Sequence, residues 1–148
     1  MKTQNRATVH NGLLAVASLA LMAASAPAIA AGPQALSLVK ECSEFTDHSG
    51  DHCTITKSSF AAIPVGSKIY YYGPVIGPAI LSTAIVLDAG DGTTAIGYCN
   101  VDLPKSSGAC TFWAGSGKLV GFRALVNLTV DGDGLFHWDG NYTLASPM

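Results

Sequence analysis

Charge is scarce in this chain, and a helical rhythm is missing from its longest patterned stretch. Charged residues are 12% of 148. That composition does not suit a disordered segment, which is charge-rich and poor in aromatic residues. Eight basic residues stand against ten acidic ones, and they form no basic patch. A nucleic-acid partner is therefore not expected. No serine sits in a G-x-S-x-G context, which removes the usual hydrolase nucleophile. The longest apolar run, Leu13 to Ala24, has about a dozen residues, short of the roughly 20 that a membrane-spanning helix requires.

That run belongs to what reads as an export leader. Lys2 and Arg6 give a positive start, Leu13–Ala24 an apolar middle, and Ala28-Ile29-Ala30 a small-x-small cleavage site, with the cut expected after Ala30. The protein is then expected in the periplasm or outside the cell, with no membrane span after cleavage. Residues 31–148 remain as one domain. Loss of Lys2 and Arg6 leaves six basic and ten acidic residues, a net charge of −4.

What is abundant is β-type sequence punctuated by glycine. From Ala79 to Leu144 short apolar runs alternate with turns such as Asp88-Ala-Gly-Asp-Gly92 and Asp131-Gly-Asp-Gly134. Runs so close together pair as antiparallel hairpins, and their regular spacing indicates a small barrel or a β-sandwich. Strands are also expected near Thr54–Phe60 and Lys68–Tyr72. Residues 31–45 read as a lead-in, with Leu36, Leu38 and Val39 as core anchors. The total is seven or eight strands. In the last hairpin Phe122, Ala124, Val126, Leu128 and Val130 share one face, and Phe136, Trp138 and Tyr142 share the apolar face of the partner strand. Arg123, Asn127, Thr129, His137, Asp139 and Asn141 occupy the other. In a sandwich that polar face meets solvent; in a barrel either face could line a cavity.

Four cysteines, Cys42, Cys53, Cys99 and Cys110, are an even set in an oxidising compartment, which implies disulfides. Of three connectivities, Cys42–Cys53 with Cys99–Cys110 is preferred. If Cys99 faces Cys110 across a hairpin, Gly97 faces Phe112 and Ile96 faces Trp113, so one register gives both the bond and favourable cross-strand contacts. Cys42–Cys53 has the same spacing without that cross-check.

Several segments imitate functional motifs. Asp47, His48, Asp51 and His52 are metal-ligand types, but Ser49-Gly50 and the flanking cysteines make a solvated loop the better reading, and no metal is assigned. Asp131-Gly-Asp-Gly134 begins like a calcium loop, yet its fifth and sixth positions are Leu135 and Phe136, where an oxygen ligand and glycine are needed. Gly115-Ser-Gly-Lys118 has Phe112 and Leu119 at the positions that define a phosphate loop. Asn127-Leu-Thr129 and Asn141-Tyr-Thr143 fit the glycosylation pattern but lie inside predicted strands. No cofactor is expected, and no catalytic set is assigned.

Three segments taken together carry a family likeness. Gly108-Ala-Cys-Thr-Phe112, Gly115-Ser-Gly-Lys-Leu-Val-Gly-Phe-Arg-Ala124 and Trp138-Asp-Gly-Asn-Tyr142 resemble the allene oxide cyclase and dirigent barrel superfamily over about residues 65–145. The resemblance implies a single antiparallel eight-stranded barrel of calycin-like form with a hydrophobic cavity, often in a homo-oligomer. Plant members cyclise an unsaturated epoxide or steer phenoxy-radical coupling. No acidic catalytic set aligns, so that activity is not carried over. The expectation is an exported barrel that binds a small apolar ligand, with Tyr98, Arg123, Asn127, His137, Trp138 and Tyr142 as candidate ligand contacts. A cyclase or isomerase using Tyr98, Arg123 or His137, and an envelope interaction protein using the barrel exterior, are the alternatives.

Overall fold

The computed structural model describes residues 32–73, 75–76 and 79–145; the leader and its cleavage site lie outside them. The strands in chain order are β1 (Gln34–Glu41), β2 (His52–Ser58), β3 (Lys68–Tyr71), β4 (Val75–Ile76), β5 (Ile80–Asp88), β6 (Thr94–Asp102), β7 (Ser107–Gly115), β8 (Arg123–Val130) and β9 (Phe136–Thr143). Every pairing is antiparallel, in the order β3-β2-β1-β9-β8-β7-β6-β5-β4, and β3 also pairs with β5. That extra ladder closes an eight-stranded barrel. The two residues of β4 lie along the remaining edge of β5.

The barrel disposes of the sandwich alternative, and the apolar faces of its strands point inward. Phe122, Val126, Leu128 and Trp138 are buried, whereas Arg123, Asn127, Asp139 and Asn141 are exposed. Residues 34–41 are not a lead-in. They form β1, which pairs with β9 on one side and β2 on the other. The hairpin between β5 and β6 turns through Gly90, Asp91 and Gly92, all at positive φ (81°, 52° and 70°). Two of the three lack a Cβ, which removes most of the steric cost of the left-handed region. The β8–β9 turn is held by Asp131, whose Oδ1 accepts from the Asp133 and Leu135 amides at 3.0 and 2.9 Å.

Both disulfides form with the preferred connectivity, Cys42–Cys53 and Cys99–Cys110. Cys99 faces Cys110 and Gly97 faces Phe112. Ile96, however, faces Ala114 rather than Trp113, because a bulge interrupts the ladder between Ile96 and Gly97. The extra residue shifts every partner beyond it by one. Glycine is required where strands press closest. A Cβ at Gly97 would lie 2.3 Å from the Thr111 carbonyl oxygen, and one at Gly140 would lie 2.0 Å from that of Leu125.

The interior is filled unevenly. At one end Phe60 stacks on Tyr142 with ring centroids 4.3 Å apart, and Phe122 lies 5.9 Å from Tyr142. Phe112 continues the contacts inward to Phe122 and Trp138, at 5.7 and 5.8 Å. The other end is framed by Lys40, Leu81, Val101, Leu128 and Phe136, where packing is looser.

Two stability measurements test this account. Replacing Cys99 and Cys110 together by serine should lower unfolding free energy by about 2–3 kcal/mol, the loop-closure value for so short a ring. Gly140→Ala should lower it by about 1–3 kcal/mol through overpacking. Urea unfolding reads both, and an unchanged midpoint for Gly140→Ala would contradict the close approach at that strand.

Candidate functional site

Antiparallel alternation puts Lys40 inside the barrel. On β1, Leu36, Leu38 and Lys40 fall on one face, and all three are buried. Lys40 lies opposite Ile55 on β2 and Phe136 on β9. A lysine is almost never fully buried without a partner, yet this one is 2% exposed. Among the described residues no carboxylate pairs with it.

Its surroundings are aromatic rings and sulfur. Nζ hydrogen-bonds the Tyr71 hydroxyl and lies 3.7 Å from Cys53 Sγ and 3.8 Å from Cys42 Sγ. The ring centroids of Trp138, Phe136 and Tyr71 are 4.7, 4.9 and 5.1 Å away. Negative ring faces favour a cation, but burial opposes it more strongly. Burial alone lowers the Lys40 pKa to about 7, because taking an ammonium out of water without a counter-charge is costly. Burial also drives the Tyr71 phenol well above its ordinary value. Near neutral pH the pair is thus a phenol and an amine about half of which is uncharged, with Nζ donating to the phenol oxygen.

A cavity of about 50 Å³ adjoins this pair. Leu81, Val101 and Leu128 line it from β5, β6 and β8, with half-buried Phe45, Leu103 and Phe136 alongside. One water needs about 10–15 Å³ measured in this way, so the space accommodates a group of a few atoms. Phe45 is fixed there by edge-to-face contact with Tyr71, with centroids 5.2 Å apart. The loop carrying it is ordered by Asp51, whose Oδ2 accepts from the Thr46 and His48 amides at 2.6 and 2.9 Å. Those hydrogen bonds, the His48 amide first, hold the Asp51 carboxyl below its usual range. His52 instead meets Glu44 at 2.9 Å. Asp51 and the His52–Glu44 pair therefore brace the rim.

The six residues singled out from sequence do not converge. Trp138 is in the interior against Lys40. Tyr142 is also inside, but at the aromatic end, donating to Gln34 Oε1 at 2.8 Å. Tyr98, Arg123 and Asn127 are exposed on the outer wall, with Tyr98 Oη 2.8 Å from Ser82 Oγ. His137 is half-buried, its Nε2 2.7 Å from Asp131 Oδ2. Lys40 and Tyr71 were missed, although the signal was available: Leu36-x-Leu38-x-Lys40 is a period-two pattern that puts the lysine with the leucines.

Comparison with protein families, curated proteins and solved structures finds no match in any of the three.

Lys40 gives the fold a pH signature. The folded-state value of about 7 lies below the ordinary lysine value of 10.5. Between them the unfolded chain binds the extra proton, so stability rises with pH, by at most about 1.4 kcal/mol per pH unit. Below pH 7 the cost is fully present and constant. Tyr71, raised above its ordinary 10.0, reverses the trend once the unfolded phenol ionises. Stability should therefore climb from pH 7 to about 10 and then fall. Lys40→Met should flatten the climb and raise stability at pH 6; a parallel profile for the variant in thermal unfolding would count against an unpaired buried amine.

Proposed function

We propose that the protein is an exported binding module that holds a small, mainly apolar ligand in the looser end of its barrel, against Lys40 and Tyr71. The observation that carries this reading is the cavity itself: apolar side chains from several strands surround one amine and one phenol. Small-molecule sites have this make-up, a hydrophobic lining with few orienting polar groups. The likeness to allene oxide cyclase and dirigent barrels supports it, since such barrels enclose a hydrophobic cavity. Two disulfides and the leader pattern support an oxidising location. Because Tyr98 and Arg123 are on the outer wall, a cyclase or isomerase working in this cavity would use Lys40 and Tyr71 instead.

A saturable titration tests the reading. Short alkanols such as 1-pentanol should shift the amide resonances of Leu81, Val101, Leu128 and Phe136 together. Leu128→Phe, which fills the space, should abolish the shifts. Uniform weak shifts over the whole surface would refute it.

A second reading, self-association through the outer wall, draws on Ile96, Tyr98, Trp113 and Leu125, all at least 43% exposed on β6, β7 and β8. Exposed apolar residues gathered on one face often mark contact surfaces. Sedimentation velocity should then show an oligomer that Leu125→Lys dissociates; a monomer at all concentrations would remove this reading.

A further inference from the structure

A buried amine with no acidic partner costs stability, so its presence at a cavity wall calls for a chemical reason. A carboxylate ligand would supply a counter-charge. It would, however, have to settle beside Nζ where the rings of Phe136 and Tyr71 line the cavity, and ring faces repel anions as they attract cations. A neutral electrophile meets no such barrier. Lysine removed from water is a nucleophile toward carbonyl groups.

We propose that Lys40 captures aldehydes: its amine condenses with the carbonyl carbon of a short aliphatic aldehyde seated in the cavity, forming an imine and releasing water. This rests on the cavity being a ligand site. The amine lone pair forms the new C–N bond, and the carbonyl π pair moves to oxygen. That oxygen takes the Tyr71 proton, and the phenolate recovers one from the now cationic nitrogen. The carbinolamine then loses its hydroxyl, which leaves as water with a proton from Tyr71. The nitrogen lone pair completes the C=N bond, and the phenolate takes back the N–H proton. Aldehyde plus amine gives imine plus water, with no oxidant or reductant. Tyr71 suits the relay because it already hydrogen-bonds Nζ. The three ring faces that hold an ammonium also favour the iminium cation that precedes the imine. An aldehyde directs its carbonyl to the amine and leaves its alkyl tail against Phe45 and Leu103.

The proton balance agrees with this geometry. Tyr71 is the titratable group in contact with Nζ, the adjoining cysteines are oxidised, and no carboxylate faces it among the described residues. An amine with a pKa of about 7 is about half neutral, and to that extent nucleophilic, at neutral pH, whereas an ordinary lysine in water is almost wholly protonated there.

Reductive trapping tests the proposal on the purified, oxidised protein. Incubation with pentanal and cyanoborohydride at pH 7 should give a single alkyl adduct. Peptide mapping should assign it to Lys40, at least about tenfold faster than at Lys57, Lys68, Lys105 or Lys118, as its larger neutral fraction requires. Tyr71→Phe should slow trapping at Lys40 and leave the rate at the exposed lysines unchanged. An unmodified Lys40 with adducts spread over the exposed lysines and the amino terminus overturns the proposal. If 1-pentanol still binds saturably in that case, capture fails and the binding reading stands; if it does not bind, the binding reading fails as well.

Discussion

Four residues of β3 hydrogen-bond to the end of β5, and that short ladder joins the first strands of the sheet to the last. Without it the sheet would be an open ribbon with two long edges, and its inner face would meet water. With it, eight strands share one interior. The same ladder carries Tyr71 on β3 to the side chain of Lys40 on β1, although β2 lies between them. The polar pair and the closure of the barrel are thus one arrangement: the phenol is in reach because the sheet has no edge there.

Among the described residues, Lys40 is the one ionisable amine or acid buried in the interior. Lys40 sits among rings and a disulfide, none of which neutralises it. Its stem packs beside leucines as any apolar side chain would, so the penalty falls on the nitrogen alone. The Cys42–Cys53 bridge has two roles: it ties β2 to the loop after β1, and its sulfurs form part of the surface facing that nitrogen. A hydrophobic residue at position 40 would fill the same volume at lower cost.

Much of the architecture could be read from residues alone. Alternation in Phe122–Val130 and Phe136–Tyr142 named the inward face, and the Cys99–Cys110 pair set a register that also matched Gly97 with Phe112. The bulge beside Ile96 could not be read, since nothing in Ile96-Gly97 opposite Phe112-Trp113-Ala114 marks an added residue. β1 was taken for a lead-in because its partner β9 is about a hundred residues away, and local pattern carries no information on such pairing. The candidate ligand contacts scatter over the barrel for a different reason. Arg123, His137 and Tyr98 were chosen for their polarity, but on a barrel strand polarity marks the outside. Lys40 drew no reading, although its alternation with Leu36 and Leu38 places it within.

The aromatic packing of Phe60, Phe122 and Tyr142 has a further bearing on how the barrel handles solutes. Those rings stopper one end, so the interior is a cup and not a conduit. A ligand bound as proposed would enter and leave beside Phe45 and Leu103. If the cavity holds a guest as proposed, the rim at Phe45 and Leu103, rather than the depth of the vessel, would set its residence.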